Sequence, residues 1–495
     1  MKIFFFTIVF TIAISVTGLA QMGIGTLTPN TSSILDLTST NKAFLPPRMN
    51  TAQQTAIASP VAGMMVYNTD STCIETYTGT KWINLCNVAT ALFSGTVVSY
   101  SPIAVSKSTS QLVFAHYMPW FATPASNTAN IGHWGLHWTM NNENPNTITN
   151  GYRQIASHYY PLTGPYASSD TTIIDYQLLL MKLSGIDGVL IDWPGTGTNN
   201  GAAADLPMNL ASANAFIARI SKVGLKYALV YEDGDLSNFG STAAKVAQAQ
   251  TDMSYAQSHY FTDINYQKVG TAPLLLVFGP EQITTGGDWT NVFTSVSPKP
   301  SFFTLWYQSN EASGNVSTGG EFAWINSDNT TSLNNFYSPA YGTPVNKMTS
   351  AYPGFNSFYS KGGFPGPTWT IASGGTSNFT TTLNLALAAN SHYMQIPTWN
   401  DYGEGTMIEP TDSTTGYSVT QSESTAGFGY SLLTTLQSKL GVSGLSQSDL
   451  AAVLQLYNLR QTYSNNITAL QKLDQIYYYI VSLQMVKAKA LLATL

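Results

Sequence analysis

Charged residues make up only 9% of this 495-residue chain. Against that sparse background two carboxylates stand three positions apart, Asp401 and Glu404, in the run Trp399-Asn400-Asp401-Tyr402-Gly403-Glu404. The pair follows directly on an apolar stretch, Tyr393 to Thr398. Two carboxylates on one strand-end loop can reach one glycosidic bond, one protonating the leaving oxygen and the other serving as base or nucleophile. Gly403 and Gly405 give the backbone the freedom to turn between and after them. Spacing alone fits a plain turn equally well, with Asp401 capping the next segment and Glu404 solvated. The elements that position the pair therefore carry the decision.

From Gln111 onward short apolar runs recur: Leu112 to His116, Gly188 to Asp192, Tyr227 to Glu232, Pro273 to Phe278, Phe302 to Trp306, Glu321 to Ile325, Met348 to Tyr352 and Tyr393 to Thr398. Helix-like stretches, such as Tyr176 to Leu183, Asn209 to Val223 and Thr382 to Ala389, lie between several of them. This alternation predicts an α/β fold, a (β/α)8 TIM-type barrel. An open doubly wound sheet is the alternative, but no Gly-x-Gly-x-x-Gly follows the first strand. In a barrel the chemistry gathers at the C-terminal strand ends. Those ends supply His116, Tyr117 and Trp120; Asp192 and Trp193; Tyr231, Glu232 and Asp233; Trp306; and Trp399, Asn400 and Tyr402. Trp134, His137 and Trp138 join them from the first connection. Aromatic faces stack on sugar rings and carboxylates bind hydroxyls, so all are candidate substrate contacts. The competing reading makes the tryptophans core and the carboxylates buried, hydrogen-bonded barrel residues.

The remaining sequence frames this domain. Residues 1–20 carry Lys2, an apolar run and a small-residue end at Ala20, which predicts a cleaved signal peptide and a secreted or cell-surface protein. The run is shorter than the roughly 20 residues of a spanning helix, and no later segment replaces it. Residues 21–87 are rich in turns and short β-prone runs, read as a small β-rich module with a hairpin turning at Gly79. A linker is expected at 88–110, the barrel at 111–421 and a helical extension packed on it at 422–495. Cys73 and Cys86 are close enough in sequence for a disulfide in an oxidising compartment. No metal or other cofactor is expected: His133 and His137 are four apart but lack a third ligand. A net charge of −6 argues against nucleic acid or an anionic membrane and leaves a neutral polysaccharide or oligosaccharide as the natural partner.

Trp399 to Glu404 resembles the catalytic motif of glycoside hydrolase family 71, the α-1,3-glucanases. Its continuation Gly405-Thr406-Met407-Ile408-Glu409-Pro410 resembles family 99, the endo-acting α-mannosidases and α-mannanases. His116-Tyr117-Met118-Pro119-Trp120, His133 to Trp138, Gly185 to Trp193 and Tyr352-Pro353-Gly354-Phe355 extend the likeness over roughly residues 111 to 415. The resemblance implies an endo-acting hydrolase of α-1,3-glucan or α-mannan, with Glu404 as general acid and Asp401 as base or its equivalent. Family 99 has Glu at the first position, where it deprotonates the sugar 2-hydroxyl on a route through a 1,2-anhydro sugar. The shorter Asp401 leaves direct activation of water as the alternative. Residues 22–26, 35–37, 42–49 and 63–68 resemble a short N-terminal module of exported Bacteroidetes-type proteins, which implies display or attachment. A catalytically inactive carbohydrate-binding or adhesive protein, and a transglycosylase using the same residues, are the competing functions.

Overall fold

The computed structural model describes residues 21–85, 96–126, 132–197, 206–316, 319–341, 346–413 and 426–495. The expected signal peptide and Cys86 lie outside them. Cys73 is buried, and no described cysteine is a free thiol. The chain divides into two units, residues 1–94 and 95–495.

In the N-terminal unit, Met22–Ile24 pairs in parallel with Leu35–Leu37, aligning Met22 with Leu35 and Ile24 with Leu37. Because side chains alternate along a strand, these four apolar residues share one face. They are 61%, 48%, 57% and 43% exposed for Met22, Leu35, Ile24 and Leu37. A second sheet holds Arg48–Met49, Met65–Asn68, Cys73–Tyr77 and Trp82–Asn84. Its last two strands form the expected hairpin, with Tyr77 opposite Trp82 and Gly79 at φ +98° in the turn. Beneath this sheet Gln54 donates to the Glu75 carboxylate at 2.7 Å and accepts from Asn68 at 2.8 Å.

The second unit is a (β/α)8 barrel. Its parallel strands are β1 (Leu112–Tyr117), β2 (Gly188–Trp193), β3 (Lys226–Tyr231), β4 (Ala272–Val277), β5 (Ser301–Leu305), β6 (Gly320–Phe322), β7 (Asn346–Ser350) and β8 (Tyr393–Ile396). Neighbours pair in chain order, and β8 closes on β1 with Tyr393 opposite Leu112. Each strand falls on one of the apolar runs read from the sequence. Strands buried on both faces need no polar alternation, so they appear as continuous apolar segments.

Outside the strands lie α1 (Thr171–Leu183), α2 (Leu206–Val223), α3 (Thr242–His259), α4 (Gly286–Val292), α5 (Thr330–Tyr337) and α6 (Ser377–Ala388). Among the described residues no helix joins β5 to β6; turns fill that connection. The chain then forms α7 (Ser431–Leu440), α8 (Gln447–Thr462), α9 (Ile467–Val481) and α10 (Met485–Leu492). Helix α1 is buried almost all round, because the barrel covers one side and α8 the other. That burial encloses Asp175, which accepts from Arg219 at 2.5 Å and 2.6 Å and from Arg460 of α8 at 2.7 Å. Removing one partner of a buried ion cluster strands the others without solvent. Asp175→Ala is therefore expected to lower stability by about 3–5 kcal/mol; a urea unfolding midpoint equal to the parent's would refute this.

Candidate active site

The loop after β8 is built by its own short-range bonds. Trp399 N–H donates to the His116 carbonyl at 2.6 Å, tying the loop to β1. Ile408 N–H returns to the Thr398 carbonyl at 3.0 Å, and Thr406 N–H to the Asp401 carbonyl at 3.2 Å. Thr398 Oγ1 accepts from Asp401 N–H at 2.8 Å, and Asp401 Oδ1 accepts from Glu404 N–H at 2.9 Å. Asp401 thus caps the turn and faces the cavity at once, while Glu404 lines the cavity instead of standing in open solvent. Gly405 adopts φ +63°, where a Cβ would stand 2.8 Å from the Asn356 carbonyl oxygen. The segment after β7 clamps the loop from outside: Asn356 N–H donates to the Glu404 carbonyl and Phe358 N–H to the Gly403 carbonyl, each at 2.8 Å.

A second layer fixes the loop from behind. Asn400 exchanges bonds with Met118, its Oδ1 accepting from Met118 N–H and its Nδ2 donating to the Met118 carbonyl, both at 2.9 Å. Glu409 accepts from Tyr166 at 2.7 Å, Tyr402 at 2.9 Å and Gln177 at 2.9 Å. This carboxylate is fully enclosed, and its donors are neutral.

Asp401 and Glu404 line a cavity of about 550 Å³ at the C-terminal mouth of the barrel. Of the other residues expected at a sugar site, His116, Trp120, Trp134, His137, Asp192 and Glu232 line it too. The remaining ones do not. Tyr117 turns outward and stacks on Phe216 of α2 at 4.1 Å. Trp193 packs on Tyr231, and Tyr231 donates to Asp252 of α3 at 2.7 Å. Asp233 is buried, accepting from the backbone N–H groups of Glu281, Gln282 and Ile283. Trp138 is core and donates to the Tyr166 carbonyl at 2.7 Å, while Trp306 packs on Phe336 of α5. Trp399, Asn400 and Tyr402 are wholly buried supports of the loop. Strand alternation turns Tyr117, Trp193 and Tyr231 away from the cavity, and packing against neighbouring elements removes the others.

Comparison with known proteins bears on the two units separately. Residues 23–100 match the family described as "Phage tail like trimerisation region". The glycoprotein endo-alpha-1,2-mannosidase of Xenopus laevis is 23% identical over 189 residues, which is 36% of this chain and 40% of that relative. The match therefore spans less than half of the relative's length. The GH99 endo-alpha-mannosidase from Bacteroides thetaiotaomicron superposes with a TM-score of 0.51 at 15% identity, covering 69% of this chain and 98% of that one. Its structure in complex with bis-tris propane gives 0.49 at 15% identity, covering 71% and 98%. The barrel is GH99-like in fold.

Within this GH99-like barrel the cavity has further walls that the strand-end reading passed over: Met118, Asn209, Asp235, Phe278, Trp324 and Tyr359 among them. Phe278 and Trp324 belong to apolar runs already identified, so their position at β4 and β6 was a usable signal. Asn209 on α2 and Tyr359 beyond β7 arrive through tertiary packing and had none. Trp120 and His137 stack with ring centres 3.9 Å apart, and His116 meets Trp324 edge-on at 4.8 Å. Burial lowers His116 to about 4 and His137 to about 3, so both rings are neutral at pH 7. Among the described residues no group of three His, Cys, Asp or Glu side chains could hold a metal ion. No described helix is long and apolar enough to cross a membrane.

The carboxyls are what this environment perturbs. Burial raises Asp401 above the ordinary carboxylate range, opposed by the backbone N–H groups of Glu404 and Gly403. Burial raises Glu404 well above its usual value, and the neighbouring charge of Asp401 raises it further. Asp401 has donors that stabilise its anion; Glu404 faces an anion. The shared proton accordingly rests on Glu404 and the charge on Asp401.

Proposed function

We propose that this chain is an endo-acting glycoside hydrolase of an α-linked glucan or mannan, with Glu404 as general acid and Asp401 as base. The carrying observation is that Asp401 and Glu404 line one cavity at the C-terminal mouth of the barrel, among aromatic walls suited to sugar faces; burial raises both carboxyls, and the charge of Asp401 raises Glu404 further. The similar proteins, both endo-alpha-mannosidases, support the same reaction class. Export fits the N-terminal twenty residues, and a mature protein beginning at Gln21 is expected by mass spectrometry of the secreted form. The decisive experiment incubates the purified protein with α-1,3-glucan, α-mannans and other α-glycans, then identifies the products. Release of oligosaccharides from an α-glucan or α-mannan supports the reading; release from none of the panel sinks it.

The N-terminal unit then gathers three copies, displaying the hydrolase as a trimer. Two strands of three residues are not independently stable, and a parallel pair with an open apolar face calls for cover. Met22, Ile24, Leu35 and Leu37 present such a face, and the trimerisation family spans them except for Met22. Ile24→Asp combined with Leu37→Asp is expected to convert a trimer to a monomer in sedimentation-velocity runs. A parent protein that sediments as a monomer at micromolar concentration would exclude this assembly.

A further inference from the structure

Tyr307 lies just past the end of β5, outside the cavity, and departs from ordinary local structure in two ways. Its φ is +67°, in the left-handed region where a Cβ crowds the backbone and glycine is at ease. Its side chain is 57% exposed, which leaves a large aromatic ring in water. Both departures cost free energy, and both would vanish with glycine at this position.

The surrounding structure nevertheless holds the residue there. Tyr307 N–H donates to the Tyr341 hydroxyl at 2.8 Å and to Glu321 Oε2 at 3.1 Å. Glu321, only 1% exposed, also accepts from Ser309 N–H at 3.1 Å and from the Tyr341 hydroxyl at 2.5 Å. A buried carboxylate thus serves one exposed turn. The Tyr307 ring meets Tyr341 nearly edge-on at 4.9 Å, and Tyr341 packs in turn on Phe336 of α5. Strained residues fixed this firmly by their surroundings cluster where a protein meets a ligand.

The neighbourhood selects the ligand. The described part of the connection after β5 is turns, which leave the ring open to solvent. Over residues 306–316 it carries Gln308, Ser309, Asn310, Ser313 and Asn315, with Glu311 as its one charged residue. Neutral amides and hydroxyls around an aromatic ring suit a neutral polyhydroxylated chain. The apolar C–H face of a sugar stacks on the ring, and its hydroxyls find donors and acceptors beside it. Strand β5 also stands between β4 and β6, just beyond whose ends Phe278 and Trp324 reach the cavity. A polymer cut within its length leaves the cavity over the rim to which Tyr307 belongs.

We propose that Tyr307 is a stacking platform for a glycan polymer outside the cavity, holding the chain on the barrel rim while the cavity takes the segment to be cut. The platform rests on the glycan-hydrolase reading for the identity of its ligand. It favours long chains over short ones, because a fragment that fits within the cavity does not reach Tyr307.

The test follows the full chain by retardation in native gels containing soluble α-mannan and by co-sedimentation with insoluble α-1,3-glucan. Tyr307→Ala and Tyr307→Gly are expected to weaken binding of the polymer about tenfold, the order of one aromatic stacking contact. Tyr307→Phe, which keeps the ring, retains the parent's affinity. Binding of short oligosaccharides cut from the same polymers is unchanged in all three variants. Tyr307→Gly melts at or above the parent's temperature, since glycine relieves the backbone. A Tyr307→Gly protein that melts well below the parent would mean that the ring serves the fold, and would overturn the platform. So would a parent that binds neither polymer, variants that bind polymer as the parent does, or a loss shared equally by Tyr307→Phe or by the short oligosaccharides. A lower sedimentation coefficient for Tyr307→Ala with polymer binding intact would instead make this face a contact between copies of the chain, and also overturns it. Turnover is read separately: polymer cleavage with Tyr307→Ala affinity unchanged defeats only the platform, and Tyr307-dependent binding without cleavage defeats only the catalytic reading.

Discussion

Glu404→Gln is expected to lower oligosaccharide release by about 10²–10⁴-fold, the usual contribution of a positioned general acid, while binding persists. Asp401→Asn is expected to fall in the same range, because the amide keeps an oxygen for the Glu404 N–H but cannot accept a proton. The pH profile separates the two roles. With the proposed roles, activity requires Asp401 ionised and Glu404 protonated, so the parent is expected to follow a bell whose limbs belong to the pair together. Burial raises both groups, which moves the bell above the ordinary carboxylate range. Residual activity of Asp401→Asn should lose the acidic limb, where the parent gains rate as Asp401 deprotonates. That of Glu404→Gln should lose the alkaline limb, where the parent loses rate as Glu404 deprotonates. Variants that release product at the parent's rate, or that keep both limbs, would remove this pair from the mechanism.

How much of this was readable beforehand follows from the physics of each feature. Strands buried on both faces leave continuous apolar runs, so all the barrel strands could be placed from the sequence. The strand-end residues were harder. At β1, His116 faces the cavity and Tyr117 packs on α2; at β2, Asp192 faces the cavity and Trp193 packs outward. Past β3, Tyr231 and Asp233 are buried while Glu232 faces the cavity. Taking every residue of each end merged the two faces, although the two-residue period separates them. In the loop after β8 no such period applies, and only the side-chain hydrogen bonds distinguish cavity-facing Asp401 and Glu404 from buried Asn400 and Tyr402. Asn209 and Tyr359 reach the cavity from elements distant in sequence, which no local pattern encodes.

Behind the loop, Glu409→Ala is expected to disrupt both the fold and the site. It leaves the hydroxyl protons of Tyr166 and Tyr402 without an acceptor, each about 1–3 kcal/mol when buried unpaired, and takes one of the two acceptors of the Gln177 amide. Partial relaxation makes the sum smaller than three independent losses, so a stability loss of about 3–5 kcal/mol is expected. Activity falls with it, since Tyr402 and Asn400 flank Asp401, Tyr402 bonding Glu409 directly and Asn400 reaching it through Tyr166. Glu409→Gln distinguishes charge from shape. Burial raises Glu409 to about 7 against the bonds from Gln177, Tyr166 and Tyr402. A folded value above the unfolded one means the native state holds the extra proton, so the stability this group contributes is present at low pH and is lost as pH rises from about 4.5 through about 7. Over that window the difference in unfolding free energy between parent and Glu409→Gln should change by about 3 kcal/mol, in the direction that disfavours the parent at higher pH. Taking the difference cancels the same trend from Asp192, Glu232, Asp401 and Glu404, which the variant retains. Denaturant melts at pH 5 and pH 8 measure it; a difference that does not change with pH would mean that Glu409 is ionised throughout and anchors the loop as an anion.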